Sequence, residues 1–148
     1  MNHNFVEMLS ALSAESAEYL LVGAHAMAAH GVPRATGDID LWVRPSAENA
    51  QRVWRALVQF RAPLAGTRAE DFANPDLVFQ MGVPPYRIDI LTSIDGVEFE
   101  AAWNRRLEHH IDDLRVPVIG RDDLIANKRA SARPKDLVDV RLLEAAGR

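Results

Sequence analysis

The stretch GDIDLWV, residues 37–43, sets two carboxylates in what otherwise reads as a buried strand. Side chains along a strand alternate between faces, so Asp38 and Asp40 point the same way, while Ile39, Leu41 and Val43 point oppositely, into a core. A third acid, Asp89, stands in YRIDILTS between Ile88 and Ile90. A buried carboxylate without a partner is costly; it shifts its pKa or finds a counter-charge. Three carboxylates converging from two strands repel one another, and a divalent cation removes that repulsion. Magnesium prefers oxygen ligands and keeps several waters. Two such ions about 3.5–4 Å apart clamp the attacking and leaving oxygens of a phosphoryl displacement. The ordinary alternative is a solvated edge strand bearing Asp38 and Asp40, with Asp89 paired to Arg87 or another arginine. A D-x-D pair alone carries little weight; the third acid in an apolar strand adds to it.

The turn before this strand points to phosphate. Tyr19–Val22 is a short apolar run that ends at Gly23, and an Ala-rich helix over about 24–30 follows at once. Glycine allows close backbone approach, and the first helical amides are unpaired and carry partial positive charge. A packing requirement for glycine is the common alternative. Neither G-x-G-x-x-G nor G-x-x-x-x-G-K-[ST] occurs, which excludes Rossmann and P-loop readings.

Around these motifs helices and strands interleave. Phe5, Met8, Leu9 and Leu12 predict a helix over about 5–13, with Asn4 as its cap. Ser46 caps a helix over about 47–60, and a polar stretch occupies 61–76. Leu77–Val83 and Tyr86–Thr92 read as antiparallel strands joined across Pro84–Pro85. A helix over about 98–107, a strand Val116–Ile119, and helices over about 122–131 and 136–146 complete the chain. The expected class is α/β (α+β), a small mixed sheet flanked by helices, in one domain spanning 1–148.

Cations are concentrated near the end of the chain. Lys128, Arg129, Arg133 and Lys135 fall within eight residues of a sequence with 17 basic and 21 acidic side chains. Asp136 and Asp139 lie one turn apart and are placed to orient Lys128 or Arg133, while Lys135 and Asp139 have i,i+4 spacing for a solvated pair. Arg34 precedes the D-x-D loop within reach of a phosphate, and Thr36 can cap or position that loop; either can instead serve only the turn. The net charge of −4 argues against a general nucleic-acid coat protein. The absence of cysteine excludes disulfides, thiolate zinc sites and a cysteine nucleophile. His25 and His30 lack the i,i+4 spacing of paired ligands, and adjacent His109 and His110 face apart, so all four read as structural or surface groups. Trp42, Trp54, Trp103, Phe79 and Phe99 read as core, with Tyr86 a weaker candidate for nucleobase contact. No apolar run approaches the roughly 18 residues of a membrane span. The opening residues do not form a secretory signal, so a cytoplasmic protein is expected.

Strand, Gly-small turn, helix, then D-x-D at the head of the next strand and a third carboxylate later resembles the nucleotidyltransferase superfamily related to DNA polymerase beta. Gly23–Ala24, thirteen intervening residues, Asp38-Ile-Asp40 and Asp89 follow that order. The strings LLVGAHAMAAHGVPRATGDIDLWV, FQMGVPPYRIDILTSIDGVEFEAAW and DDLIANKRASARPKDLVDV look like the small bacterial members grouped with AbiEii-type toxins, over about residues 16–142. The resemblance implies a nucleotidyltransferase fold and metal-dependent transfer of a nucleoside monophosphate from a nucleoside triphosphate such as ATP to an acceptor hydroxyl, with pyrophosphate leaving. It implies that Asp38, Asp40 and Asp89 hold two Mg2+ ions (or Mn2+) and carry the chemistry. Asp89 would also help deprotonate the acceptor. Gly23, Ala24, Arg34, Thr36, Lys128 and Arg133 would bind the nucleotide. The acceptor is an RNA such as a tRNA, a protein or a small molecule, and a cognate antitoxin is the partner if the chain is a toxin. Ala24 departs from the Ser or Gly common at that position and supplies an amide but no hydroxyl. That departure favours the alternative, a non-catalytic nucleotide- or partner-binding module on the same fold.

Overall fold

Asn2, rather than Asn4, starts the first helix: its side chain accepts the Asn4 amide, and α1 runs His3–Ala14 with Phe5, Met8, Leu9, Ala11 and Leu12 buried. The computed structural model describes residues 1–35 and 37–147. Among the described residues six helices and six strands run in the order α1, β1 (Tyr19–Val22), α2 (Gly23–Ala29), β2 (Ile39–Val43), α3 (Ala47–Phe60), β3 (Val78–Met81), β4 (Ile88–Leu91), α4 (Phe99–Asn104), β5 (Leu107–Ile111), β6 (Leu114–Val118), α5 (Arg121–Ser131) and α6 (Pro134–Ala146). A short 3-10 turn, Ala69–Ala73, lies within the polar stretch and buries Phe72.

The strands form one mixed sheet in the order β3-β4-β2-β1-β6-β5. β1 is antiparallel to β2, β2 is parallel to β4, and β3 and β4 make the expected antiparallel pair. Flanking helices complete the mixed α/β architecture: α1 packs on α3, and α5 on α6. Ser46 caps α3 as its sequence predicts, its hydroxyl accepting the Asn49 amide at 3.2 Å. Ile39, Leu41, Val43 and Ile90 are fully buried on one face of the sheet. The opposite face carries the acids. No helix among the described residues is long and apolar enough to cross a membrane.

One stretch departs from expectation. The helix anticipated to residue 107 stops at Asn104, and Leu107 opens β5, which hairpins back through Asp112 and Asp113 onto β6. β6 in turn begins at Leu114, two residues earlier than the expected strand. β5 is an edge strand with polar, largely exposed side chains, so it lacks the apolar alternation that marks a half-buried strand.

Candidate active site

β2 and β4 run parallel with Asp40 opposite Asp89 and Ile39 opposite Ile88. Neighbouring strands lie about 4.8 Å apart, so this register sets the two carboxylates side by side on one face. Asp38 precedes β2 by one residue and shares that parity. Asp89 is 6% exposed; Asp38 and Asp40 are half-buried. The same ladder brings Val22 opposite Asp40, which carries the following turn to the acids. Gly23 has φ +68°, and a Cβ there would collide with the Asp40 carboxylate. Glycine is required twice over, by backbone conformation and by the closeness of Asp40. Val22 makes no side-chain cap hydrogen bond to α2, and Gly23 and Ala24 at its start line the cleft described below.

Arg87 supplies the counter-charge. Its guanidinium forks onto Asp89, Nε to Oδ1 at 2.8 Å and Nη2 to Oδ2 at 3.1 Å, and Nη2 also stands 3.3 Å from Asp38 Oδ2. Arg87 therefore bridges Asp89 and Asp38. The Asp40 carboxyl is pushed up to about 6 by burial, then by the negative charges of Asp89 and Asp38, with Arg87 working against them.

Facing these acids is a cationic wall from α5, α6 and the loop before β2. A cleft of about 440 Å³ is lined by Gly23, Ala24, Asp38 and Asp40 on one side and by Arg34, Asn127, Lys128, Arg133, Lys135 and Asp139 on the other. Lys128 Nζ lies 3.1 Å from Asp139 and 3.6 Å from Asp136, with its side chain only 12% exposed. Burial lowers the Lys128 pKa, and Asp136 works against that. Arg133 forks onto Asp136 at 2.7 and 3.2 Å, and Arg34 pairs with Asp139. Asp136 is fully buried. Burial alone would raise its pKa, but the hydrogen bonds and charge of Arg133, with Lys128, hold it below the usual carboxylate range.

The predicted site residues thus mostly converge. Gly23, Ala24, Arg34, Asp38, Asp40, Lys128 and Arg133 share one cleft, with Asp89 packed beside Asp40 rather than lining it. Thr36 lies outside the described residues. The pairing of Asp89 with Arg87, weighed as the ordinary alternative to a metal site, is realised. Asp139 takes Lys128 and Arg34 as partners in place of Lys135. Arg129 pairs with Glu144 on the surface, and exposed Tyr86 rests edge-on against Phe5, outside the cleft lining. Sequence reasoning missed Leu91, Ile94 and Asn127 as lining residues. Leu91 had a signal, because it shares the strand parity of Asp89.

The donor set suits a hard divalent cation. All three acids offer carboxylate oxygens on one face, their charge exceeds that of Arg87, and the missing side chain of Gly23 leaves space at Asp40. Among the described residues no three acidic or histidine side chains are gathered closely enough to hold an ion together. Arg87 instead holds Asp89 and Asp38.

No protein-family model and no curated protein matches the sequence. Solved structures do match in shape. The lincosamide antibiotic adenylyltransferase LnuA, in its lincomycin-bound crystal structure, superposes with a TM-score of 0.59 at 14% identity, covering 99% of this chain and 98% of its own. A Thermotoga maritima protein described as a candidate nucleotidyltransferase gives a TM-score of 0.58 at 13% identity, covering 95% and 88%. The chain has the nucleotidyltransferase fold.

Proposed function

We propose that this protein is a metal-dependent nucleotidyltransferase that moves a nucleoside monophosphate from a nucleoside triphosphate to an acceptor hydroxyl. The observation that carries the reading is the pairing of Asp40 with Asp89 across parallel strands, with Asp40, the glycine turn and a group of cations lining one cleft. On this reading Gly23 and Ala24 present backbone amides to the phosphates, and Lys128, Arg133 and Arg34 neutralise their charge. The acceptor oxygen attacks the α-phosphorus, the bond to the bridging oxygen breaks, and pyrophosphate leaves with that electron pair. On this reading Asp89, set opposite Asp40 across the strands, takes up the acceptor proton. Magnesium or manganese held by Asp38, Asp40 and Asp89 would offset phosphate charge and lower the pKa of the attacking hydroxyl.

The fold shared with a lincomycin-bound adenylyltransferase supports a small hydroxylated acceptor. The resemblance to AbiEii-type toxins instead supports a tRNA or protein acceptor and a cognate antitoxin. Ala24 favours the second reading, a binding module without transfer, because it brings no hydroxyl to the phosphates. Incubation with magnesium and each α-labelled triphosphate, with lincomycin, tRNA or cell extract as acceptor, separates these readings. Label transfer that falls by about a thousandfold in Asp40→Asn supports the enzyme. Triphosphate binding with no transfer to any acceptor supports the module and ends the catalytic reading.

A further inference from the structure

We propose that Arg87 is a positioning residue that competes with divalent cations for Asp38 and Asp89 and so sets how tightly the site takes its metal. The inference rests on the metal-dependent reading above. It stands on contacts at the head of β4. The planar fork of Arg87 uses Nε and Nη2 on both oxygens of Asp89 and shares Nη2 with Asp38. These are oxygens that a hard cation needs. Fork geometry matches a carboxylate better than an ammonium group can, which makes the arginine an effective rival for them.

Two further observations suit Arg87 to a displaceable role. Its backbone carbonyl accepts the Ile39 amide at 3.0 Å, so the main chain is pinned to β2 whatever the side chain does. The side chain itself is 30% exposed, at the water-facing side of the carboxylates, whereas Asp89 is buried. A guanidinium with access to solvent can leave without a desolvation penalty of its own. The buried Asp89 left behind then requires another cation. Metal alone therefore binds weakly, because it must evict Arg87. Metal brought with a triphosphate binds better, because phosphate oxygens add ligands that the arginine cannot replace.

The test is Mn2+ binding to the full chain, followed by electron paramagnetic resonance and by thermal melting, with and without ATP. In the absence of nucleotide, Arg87→Gln is expected to bind Mn2+ about five- to tenfold more tightly than the unaltered chain, with Arg87→Lys between them. Mn2+ is also expected to raise the melting temperature of Arg87→Gln more than that of the unaltered chain. If Arg87→Gln folds only in the presence of Mn2+, that rescue supports the proposal as well. Mn2+ binding to the unaltered chain with equal or weaker binding to both variants overturns the role of Arg87 and leaves the metal site standing. Failure of every form to bind Mn2+, even with ATP, overturns the metal-dependent function itself and this inference with it.

Discussion

The two walls of the cleft handle buried charge in opposite ways. On the α5–α6 wall, two acids meet three cations: Asp136 has Arg133 and Lys128, and Asp139 has Lys128 and Arg34. On the β2–β4 wall, Arg87 bridges Asp89 and Asp38. The consequences run in opposite directions. Asp136 is held below the usual carboxylate range, while Asp40 is pushed up to about 6. The helical wall is satisfied internally and acts as a scaffold that also presents cations. On the strand wall burial and neighbouring acids outweigh the charge of Arg87 at Asp40, a strain of the kind found where a protein binds a ligand.

Breaking the satisfied wall is expected to have the largest effect. Asp136→Ala removes a fully buried carboxylate that also accepts the Arg133 amide at the start of α6. Denaturant unfolding should show a loss of about 3–5 kcal/mol. The sign with pH follows from its lowered value: Asp136 stabilises the fold above the ordinary carboxylate range, and this is lost as pH falls through the lower folded-state value. Gly23→Ala tests where the walls meet. It forces a side chain into the Asp40 carboxylate at a positive φ, and unfolding should show a cost of about 2 kcal/mol together with weaker triphosphate binding.

The unsatisfied wall predicts a gain. Between the ordinary carboxylate range and about pH 6, folded Asp40 keeps a proton that the unfolded chain has released. Its contribution to stability therefore declines as pH rises through that window and stays low above it. Asp40→Asn should melt a few degrees higher than the unaltered chain at pH 7.5, with that slope flattened, while losing transfer. Thermal scans from pH 4 to 8 check this; a lower melting temperature throughout would erase the contrast between the walls. The smallest effect is expected at Lys128→Met, which keeps the packing of the stem. It should raise the KM for triphosphate about tenfold with little change in kcat, measured by steady-state kinetics.

Period-two alternation was enough to place Asp38 and Asp40 on one face, because Ile39, Leu41 and Val43 must be buried. It also placed Asp89 in an inner strand, but the parallel register that sets it against Asp40 depends on pairing that local sequence does not encode. The Gly23 turn was legible as a close approach, yet its neighbour proved to be a carboxylate of this chain, beside the expected phosphate position. Lys128 and Arg133 were visible as a cluster, and the spacing of Asp136 and Asp139 correctly suggested their orienting partners. β5 escaped notice because nothing in LEHHI alternates in hydropathy, and the pairing of Leu107 with Val118 is a tertiary matter. The dual attachment of Arg87 was half legible: R-x-D on one strand face gives the Asp89 contact, but reaching Asp38 needs the neighbouring strand.

The strand bearing Asp89 is hemmed by β2 on one side and β3 on the other, and the residue just ahead of it is tethered through its own carbonyl. On the proposed reading, admission of an ion here would ask for rotation of the Arg87 side chain about a few bonds while its main chain stays pinned. Such rotations at solvent-accessible positions take picoseconds to nanoseconds, far faster than lid opening. Loading of this cleft would then be limited by how quickly ions and nucleotide arrive, and not by rearrangement of the main chain.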